Sequence, residues 1–205
     1  MTTDREAILS RVRGALAPLA NRAMLPDWDQ SLPALRQDQA GRNLAEVFSE
    51  RLRLVNGLPF TGIPALATYL RENGHLLGYC DPELQASCAL GDGFTVETTF
   101  ERARVDEYQF SITRAVAGIA ESGTLILKDR PKSPRLAALA PWVHIAVLRR
   151  RDIFADVPQA IGALGDDPNV IWITGPSKTA DVEGILIEGV HGPGIQVALL
   201  QHSPP

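Results

Sequence analysis

The residues best suited to chemistry stand in three short segments. The first runs Thr174-Gly-Pro-Ser-Lys-Thr-Ala-Asp-Val-Glu183, between an apolar strand predicted at 170–174 and a helix predicted over 180–187. Backbone N–H groups at the start of such a helix are unpaired and attract anions. Ser177 and Thr179 add hydroxyls, and Lys178 is one of only three lysines in the chain. The segment therefore predicts a site for a small carboxylate or phosphate.

A purely structural interpretation of the same segment stays open. Thr179 can cap the predicted helix while Asp181 and Glu183 complement its dipole, and both acids would repel an incoming anion. A nucleotide-binding P-loop is not expected, because Ser177 and Trp172 stand where that motif requires glycine.

The second and third segments carry a histidine and a carboxylate. His191 lies in Gly189-Val-His-Gly-Pro-Gly194 and is a candidate proton donor or acceptor, or simply an exposed turn residue. Glu121, in Ala120-Glu-Ser-Gly-Thr124, is a candidate base or nucleophile, or else a helix-end residue followed by Gly123 as a left-handed cap.

Two further residues lie downstream of these segments. Arg135 can clamp a carboxylate through two hydrogen bonds. A single His in an apolar strand, such as His144, is more often a hydrogen-bonded core residue.

Alternating helices and apolar strands must position these segments. Such a pattern predicts an α/β domain with a mostly parallel sheet covered on both faces, and its ligands are expected beyond the carboxyl ends of the strands. We divide the chain into residues 1–42, an N-terminal helix and a proline-containing linker, and residues 43–205, the α/β domain. The predicted helices are 4–17 with Asp4 as N-cap, 43–55, 64–73, 108–120, 156–164 and 180–187; the predicted strands are 76–80, 94–98, 124–128, 143–148, 170–174 and 195–200.

Composition narrows the function classes. The chain has 205 residues and a net charge of −4, which argues against a dedicated nucleic-acid binder. No segment approaches the roughly 18 apolar residues that span a bilayer, and the N-terminus lacks a secretory signal pattern, so we expect a cytoplasmic protein. Two cysteines, Cys80 and Cys88, cannot alone form a four-ligand metal site or hold an iron–sulfur cluster. No dinucleotide-binding, zinc-protease or nucleophile-elbow motif is present, so we expect no cofactor or metal in this chain.

Taken together, these segments resemble the LUD domain family, the family of lactate-utilisation protein C. The resemblance depends on Ala117–Leu127, on Arg135 with the Pro-x-x-His-Ile-Ala-Val segment at 141–147, and most strongly on 173–184 followed by 189–193. It covers residues 100–200 well. This sequence has Glu121-Ser122-Gly123-Thr124 where the family usually has Glu-Thr-Gly-Thr.

The resemblance implies a fold, a role and a set of residues. The fold is a Rossmann-like three-layer sandwich of the ribose-5-phosphate isomerase and CoA-transferase type, with an N-terminal helical arm. The role is in oxidising L-lactate to pyruvate beside iron–sulfur partner proteins, which would hold the redox centres that this chain lacks. The implied site comprises Glu121 and His191 as catalytic candidates, and Thr124, Arg135, Gly175, Ser177, Lys178, Thr179, Asp181 and Glu183 as ligand-binding candidates.

Three hypotheses remain open from the sequence. The chain is a component of a lactate-oxidising complex, a free-standing isomerase or CoA-transferase-like enzyme that uses Glu121, or a binding or regulatory module without chemistry of its own.

Overall fold

The chain divides into two compact units, Met1–Asp38 and Gln39–Pro205, which are described separately. The structure, a computed structural model, describes residues 3–18, 41–129, 134–165, 169–180 and 185–201. The described part of the first unit is helix α1, Asp4–Leu16. The predicted N-cap, Asp4, is wrong, and the N-cap is Thr3. Thr3 and Glu6 form a reciprocal capping box: the Thr3 N–H donates to the Glu6 carboxylate at 2.8 Å, and the Glu6 N–H donates to Thr3 Oγ1 at 3.3 Å. Most of the predicted linker, residues 19–40, lies outside the described residues.

The second unit is built on a sheet of six parallel strands, which we call the main sheet. Hydrogen bonding places its strands in the order β1, β12, β7, β4, β2, β3. The bounds are Leu58–Phe60 for β1, Leu77–Cys80 for β2, Thr95–Glu97 for β3, Phe110–Arg114 for β4, Val143–Arg149 for β7 and Ile195–Gln201 for β12. The central strands β7, β4 and β12 are buried almost throughout, as expected of strands covered on both faces.

Apolar side chains cover both faces of the main sheet. On one face, α3 (Ile63–Glu72) buries Leu66 and Leu70 together with Leu84 from the segment after β2. On the other face, α2 (Leu44–Leu54) buries Phe48 and Leu52. A short helix, α4 (Arg135–Leu139), packs against β4 and leads into β7. The prediction of an α/β fold with a mostly parallel sheet is confirmed.

A second, mixed sheet lies on the α2 side. Its order is β8, β5, β6, β9, with antiparallel pairing of β6 to both β5 and β9. Helix α5 (Val157–Leu164) packs on it, and a two-stranded ribbon, β10–β11, follows β9 along the chain. The bounds are Ala117–Ile119 for β5, Thr124–Lys128 for β6, Ile153–Phe154 for β8, Val170–Ile173 for β9, Lys178–Ala180 for β10 and Leu186–Glu188 for β11; two 3₁₀ turns cover Arg102–Glu107 and Arg150–Asp152.

Two predicted helices are wrong. Residues 108–120 form β4 and β5, because the helix-like spacing of Ile112, Val116 and Ile119 arises from two buried strands joined by a sharp bend. Residues 178–180 and 186–188 form the β10–β11 ribbon in place of a helix over 180–187, and residues 181–184 lie outside the described residues. The other predicted elements of this unit are confirmed to within a few residues at their ends. None of the described helices is long and apolar enough to cross a membrane.

Candidate functional site

Two of the three chemistry-bearing segments lie side by side. The Ser177 N–H donates to the Pro193 carbonyl at 2.9 Å, and the Gly189 N–H donates to the Ser177 carbonyl at 2.9 Å. The loop after β9 and the loop before β12 are therefore joined at Ser177. The first loop lies at the carboxyl end of its strand, but the second lies at the amino end of β12. We expected the ligand-binding loops at the carboxyl ends of strands. This expectation is wrong for the loop at 189–194, which precedes β12.

A cavity of about 240 Å³ opens between these loops, and we call it the inter-loop cavity. Its walls combine polar and apolar groups, with the apolar side chains of Trp172 and Leu139 on different elements. Its polar residues are Thr174, Ser177, His191 and Gln196. Pockets with apolar walls and a few convergent polar groups are the usual form of small-molecule sites.

A larger cavity of about 540 Å³ adjoins the first, and we call it the Trp142 cavity. The two cavities share Leu139, His191 and Gly192, so His191 stands between them. Gly189 and Gly194 pack against the benzo ring of Trp142, where an added Cβ at either position would overlap the indole. These glycines hold the His191 loop against a fixed aromatic ring.

The hydroxyls around the inter-loop cavity differ in their bonding. Thr174 Oγ1 is 2.8 Å from Thr124 Oγ1, which is 2.7 Å from Ser122 Oγ. Thr124, one of the predicted site residues, thus supports the cavity from behind through Thr174. Within the described ranges Ser177 Oγ has no hydrogen-bond partner, and it lies beside Gly192, whose added Cβ would be 3.4 Å from this oxygen. Ser177 is therefore the hydroxyl available to a ligand.

A buried polar network lies behind Gln196. His144 Nδ1 is 2.8 Å from Gln196 Oε1, and His144 Nε2 is 2.8 Å from Thr113 Oγ1. All three residues are at most 1% exposed. Burial lowers the pKa of His144 to about 4, against a weaker opposing effect of the hydrogen bond with Gln196. The prediction that His144 is a hydrogen-bonded core histidine is confirmed.

Lys178 and Gly175 attach the first loop to the end of α2. Lys178 Nζ donates to the Val55 carbonyl at 3.2 Å and lies 3.5 Å from Glu188 Oε1. Gly175 has a φ of 79°, and an added Cβ would overlap the Val55 carbonyl oxygen. The ammonium group is thus engaged by protein atoms and does not line either cavity.

The helix start that was predicted to bind an anion is absent from residues 178–180. Lys178–Ala180 is a strand, Thr179 is paired with Ile187 across the ribbon, and the Ser177 N–H is used by Pro193. The physical reason is that strand pairing consumes amides that a helix start would leave free. Asp181 and Glu183, the predicted acidic members of the site, lie outside the described residues.

Neither Glu121 nor Arg135 lines the two cavities. The Glu121 carboxylate accepts the Val157 N–H at 2.9 Å, at the first turn of α5. Its surrounding segment is a hairpin turn between β5 and β6, where Gly123 has a φ of 67° and packs against the backbone of Leu52. The Arg135 guanidinium is 3.8 Å from Asp129. The helix end predicted at Glu121 is wrong, whereas the positive φ predicted for Gly123 is confirmed.

Sequence reasoning missed Gln196 and Trp142 as parts of the site. Gln196 stands in an otherwise apolar strand, Ile195–Leu200, and is aligned with His144 across the sheet. A polar residue in each of two neighbouring buried strands is a signal for a buried polar pair. Trp142 had no comparable signal, because its contacts depend on how the later glycine loop folds over it. No group of three or more His, Cys, Asp or Glu side chains suited to a metal ion occurs within the described ranges.

Several known proteins are similar to this chain in sequence. A family model described as "LUD domain" matches residues 88–200, more than half of the chain. Among proteins named "Lactate utilization protein C", that of Deinococcus radiodurans is 33% identical over 102 residues, 47% of this chain and 48% of the relative. That of Exiguobacterium sp. is 34% identical over 136 residues, 62% and 58% respectively. The matched stretches thus span about half the length of these relatives.

A solved structure has the same fold. The crystal structure of a DUF162 family protein from Deinococcus radiodurans matches with a TM-score of 0.59 at 21% sequence identity. The match covers 77% of this chain and 96% of the other. This likeness supports the α/β architecture described above.

Proposed function

Because the chain belongs to the LUD domain family, we propose that it takes part in L-lactate utilisation by binding a small 2-hydroxy or 2-oxo acid in the inter-loop cavity. One observation carries the proposal: the two loops in which the family resemblance is strongest, 174–177 and 191–193, line one cavity together. The names of the relatives supply the pathway.

The cavity offers hydrogen bonds suited to a small carboxylate. Ser177 Oγ, which has no partner among the described residues, can donate to a ligand, and the neutral His191 ring has a nitrogen that donates in either tautomer. The apolar walls formed by Leu139, Ile171 and Pro193 suit the methyl group of lactate. With about six non-hydrogen atoms, lactate has a binding ceiling of about 9 kcal/mol, so we expect a micromolar to millimolar Kd.

Oxidation of lactate to pyruvate releases two electrons and two protons. We propose that iron–sulfur partner proteins accept the electrons, as the family resemblance implies, while this chain holds the acid. Affinity purification of the tagged protein from lactate-grown cells tests this arrangement. Iron–sulfur proteins are expected to co-purify, with cells grown without lactate as the control, and recovery of no such partner would contradict it.

Growth on L-lactate tests the role of the cavity itself. A strain that lacks this protein is expected to recover growth on L-lactate when the wild-type gene is returned. The double variant Ser177→Ala, His191→Ala is expected to fail at an equal protein level. Full growth of the double variant would contradict a ligand role for the cavity and would favour a binding or regulatory module without a small-acid site.

A free-standing isomerase or CoA-transferase-like enzyme that uses Glu121 is the alternative from the sequence. No observation on the described residues favours it, because the Glu121 carboxylate accepts a backbone N–H and lines neither cavity.

A further inference from the structure

The carboxamide of Gln196 has one possible orientation. Its Nε2 lies 3.3 Å from the His144 carbonyl and 3.1 Å from the Val197 carbonyl. Carbonyl oxygens only accept hydrogen bonds, so both must receive protons from Nε2. The two amide protons of Gln196 are therefore used within the protein.

This orientation also fixes the tautomer of His144. Gln196 Oε1 faces His144 Nδ1 at 2.8 Å, and an amide oxygen can only accept, so Nδ1 carries the proton. A neutral imidazole then has a bare Nε2, which accepts from the Thr113 hydroxyl at 2.8 Å. Every polar hydrogen in this network is consumed within it.

Gln196 is one of the residues that line the inter-loop cavity, and only 1% of it is exposed. Its network leaves a hydrogen-bond acceptor, and no donor, for this part of the wall. The only bonding capacity that remains on the Gln196 carboxamide is the second lone pair of Oε1. A ligand hydroxyl can donate to it, whereas a ligand carbonyl would place one acceptor against another. Rotation of the carboxamide would not help, since it would set Oε1 against the buried carbonyls of His144 and Val197, which can only accept hydrogen bonds.

We propose that Gln196 is the specificity-determining residue of the inter-loop cavity, where its oxygen selects a ligand with a hydroxyl over the corresponding carbonyl compound. The inference rests on the proposed function and deepens it: the chain holds the 2-hydroxy acid and releases the 2-oxo acid. His144 and Thr113 are positioning residues, because they act on the ligand only through Gln196.

Calorimetric titration of the wild-type protein with L-lactate, pyruvate and propionate tests the inference without a variant. L-Lactate is expected to bind at least tenfold more tightly than pyruvate, because its hydroxyl donates to Gln196 Oε1 whereas the pyruvate carbonyl would place one acceptor against another. Propionate, which has neither oxygen at this carbon, is expected to bind at least as well as pyruvate. Equal affinity for L-lactate and pyruvate would overturn the inference and leave the proposed function standing. Failure of all three to bind would overturn both.

A matched pair of variants tests whether the preference for L-lactate over pyruvate depends on Gln196. Gln196→Met is expected to weaken L-lactate binding until the preference over pyruvate falls to about twofold or less. Gln201→Met is the control: it makes the same change on the same strand, but Gln201 bonds to Cys88 and lies outside the cavity. A preference that persists in folded Gln196→Met, checked by circular dichroism, would overturn the assignment.

Discussion

At the scale of single residues, the site depends on a few polar groups whose partners are already fixed. Thr113, His144 and Gln196 form a closed network in the sheet, whereas Ser177 and His191 face the cavity from its two loops. Polar groups that are already held in position bind a small ligand at a low entropic cost, because few side chains must be ordered on binding. The neutral state of His144 is part of this preorganisation.

The titration of His144 is the first prediction at this scale. The folded pKa of His144, about 4, lies below the unfolded value of about 6.5. The folded state therefore loses stability as the pH falls through 6.5 toward 4, and this contribution is fully present only well above pH 6.5. Between pH 7.5 and 5 we expect this residue to reduce the free energy of unfolding by about 2 kcal/mol. Urea denaturation measures the loss, and histidine NMR assigns it.

The NMR measurement also provides the control. The imidazole resonances of His144 should stay unchanged from pH 7 to 5 in the folded protein. A titration midpoint above pH 6 for His144 would contradict the lowering of its pKa by burial.

At the scale of elements, the loop 174–177 is held in place by the end of α2. Gly175→Ala is expected to destabilise the protein by at least about 2 kcal/mol, because the left-handed backbone and the contact with the Val55 carbonyl both oppose a side chain. Gly162→Ala is the matched control, since Gly162 lies in α5 with open space around it. It should stabilise by about 0.5–1 kcal/mol. Equal effects of the two changes on the urea midpoint would contradict this packing.

The role of Glu121 is a second prediction at this scale. Glu121→Gln keeps an acceptor for the Val157 N–H but removes a charge from the start of α5, so we expect a loss of about 0.3–1 kcal/mol. Glu121→Ala should cost about 1 kcal/mol, because the Val157 N–H loses its acceptor while Asp156 remains the N-cap. Calorimetric affinity for L-lactate should change less than twofold in both. Loss of lactate binding in Glu121→Gln at unchanged stability would show instead that this carboxylate acts on the ligand.

Elements differ in how far the sequence could predict them. The strands at 143–149 and 195–201 were predictable from their apolar runs. The pair β4–β5 was not, because a buried strand lacks the alternation that separates strand from helix. Of the site, the sequence indicated Ser177 and His191 but placed Ser177 at a helix start, since the pairing of β10 with β11 joins residues that are not neighbours in sequence.

At the scale of the whole α/β unit, the candidate site lies where the second sheet meets the main sheet rather than along the carboxyl edge of the main sheet. The antiparallel β6–β9 pair brings the loop 174–177 toward the amino end of β12, where the glycine loop meets Trp142. The inter-loop cavity thus needs three chain segments distant in sequence, and none of them forms it alone. The family match over residues 88–200 contains all three.

The most direct test of the proposed site is calorimetric titration of L-lactate into the wild-type protein, the Ser177→Ala, His191→Ala variant and the control Arg53→Gln, which changes an exposed residue of α2. We expect wild type and Arg53→Gln to bind with the same micromolar to millimolar Kd, and the double variant to bind at least tenfold more weakly because both donors are gone. Equal affinity in all three proteins, or no binding by the wild type, would contradict the assignment of the inter-loop cavity as the lactate site.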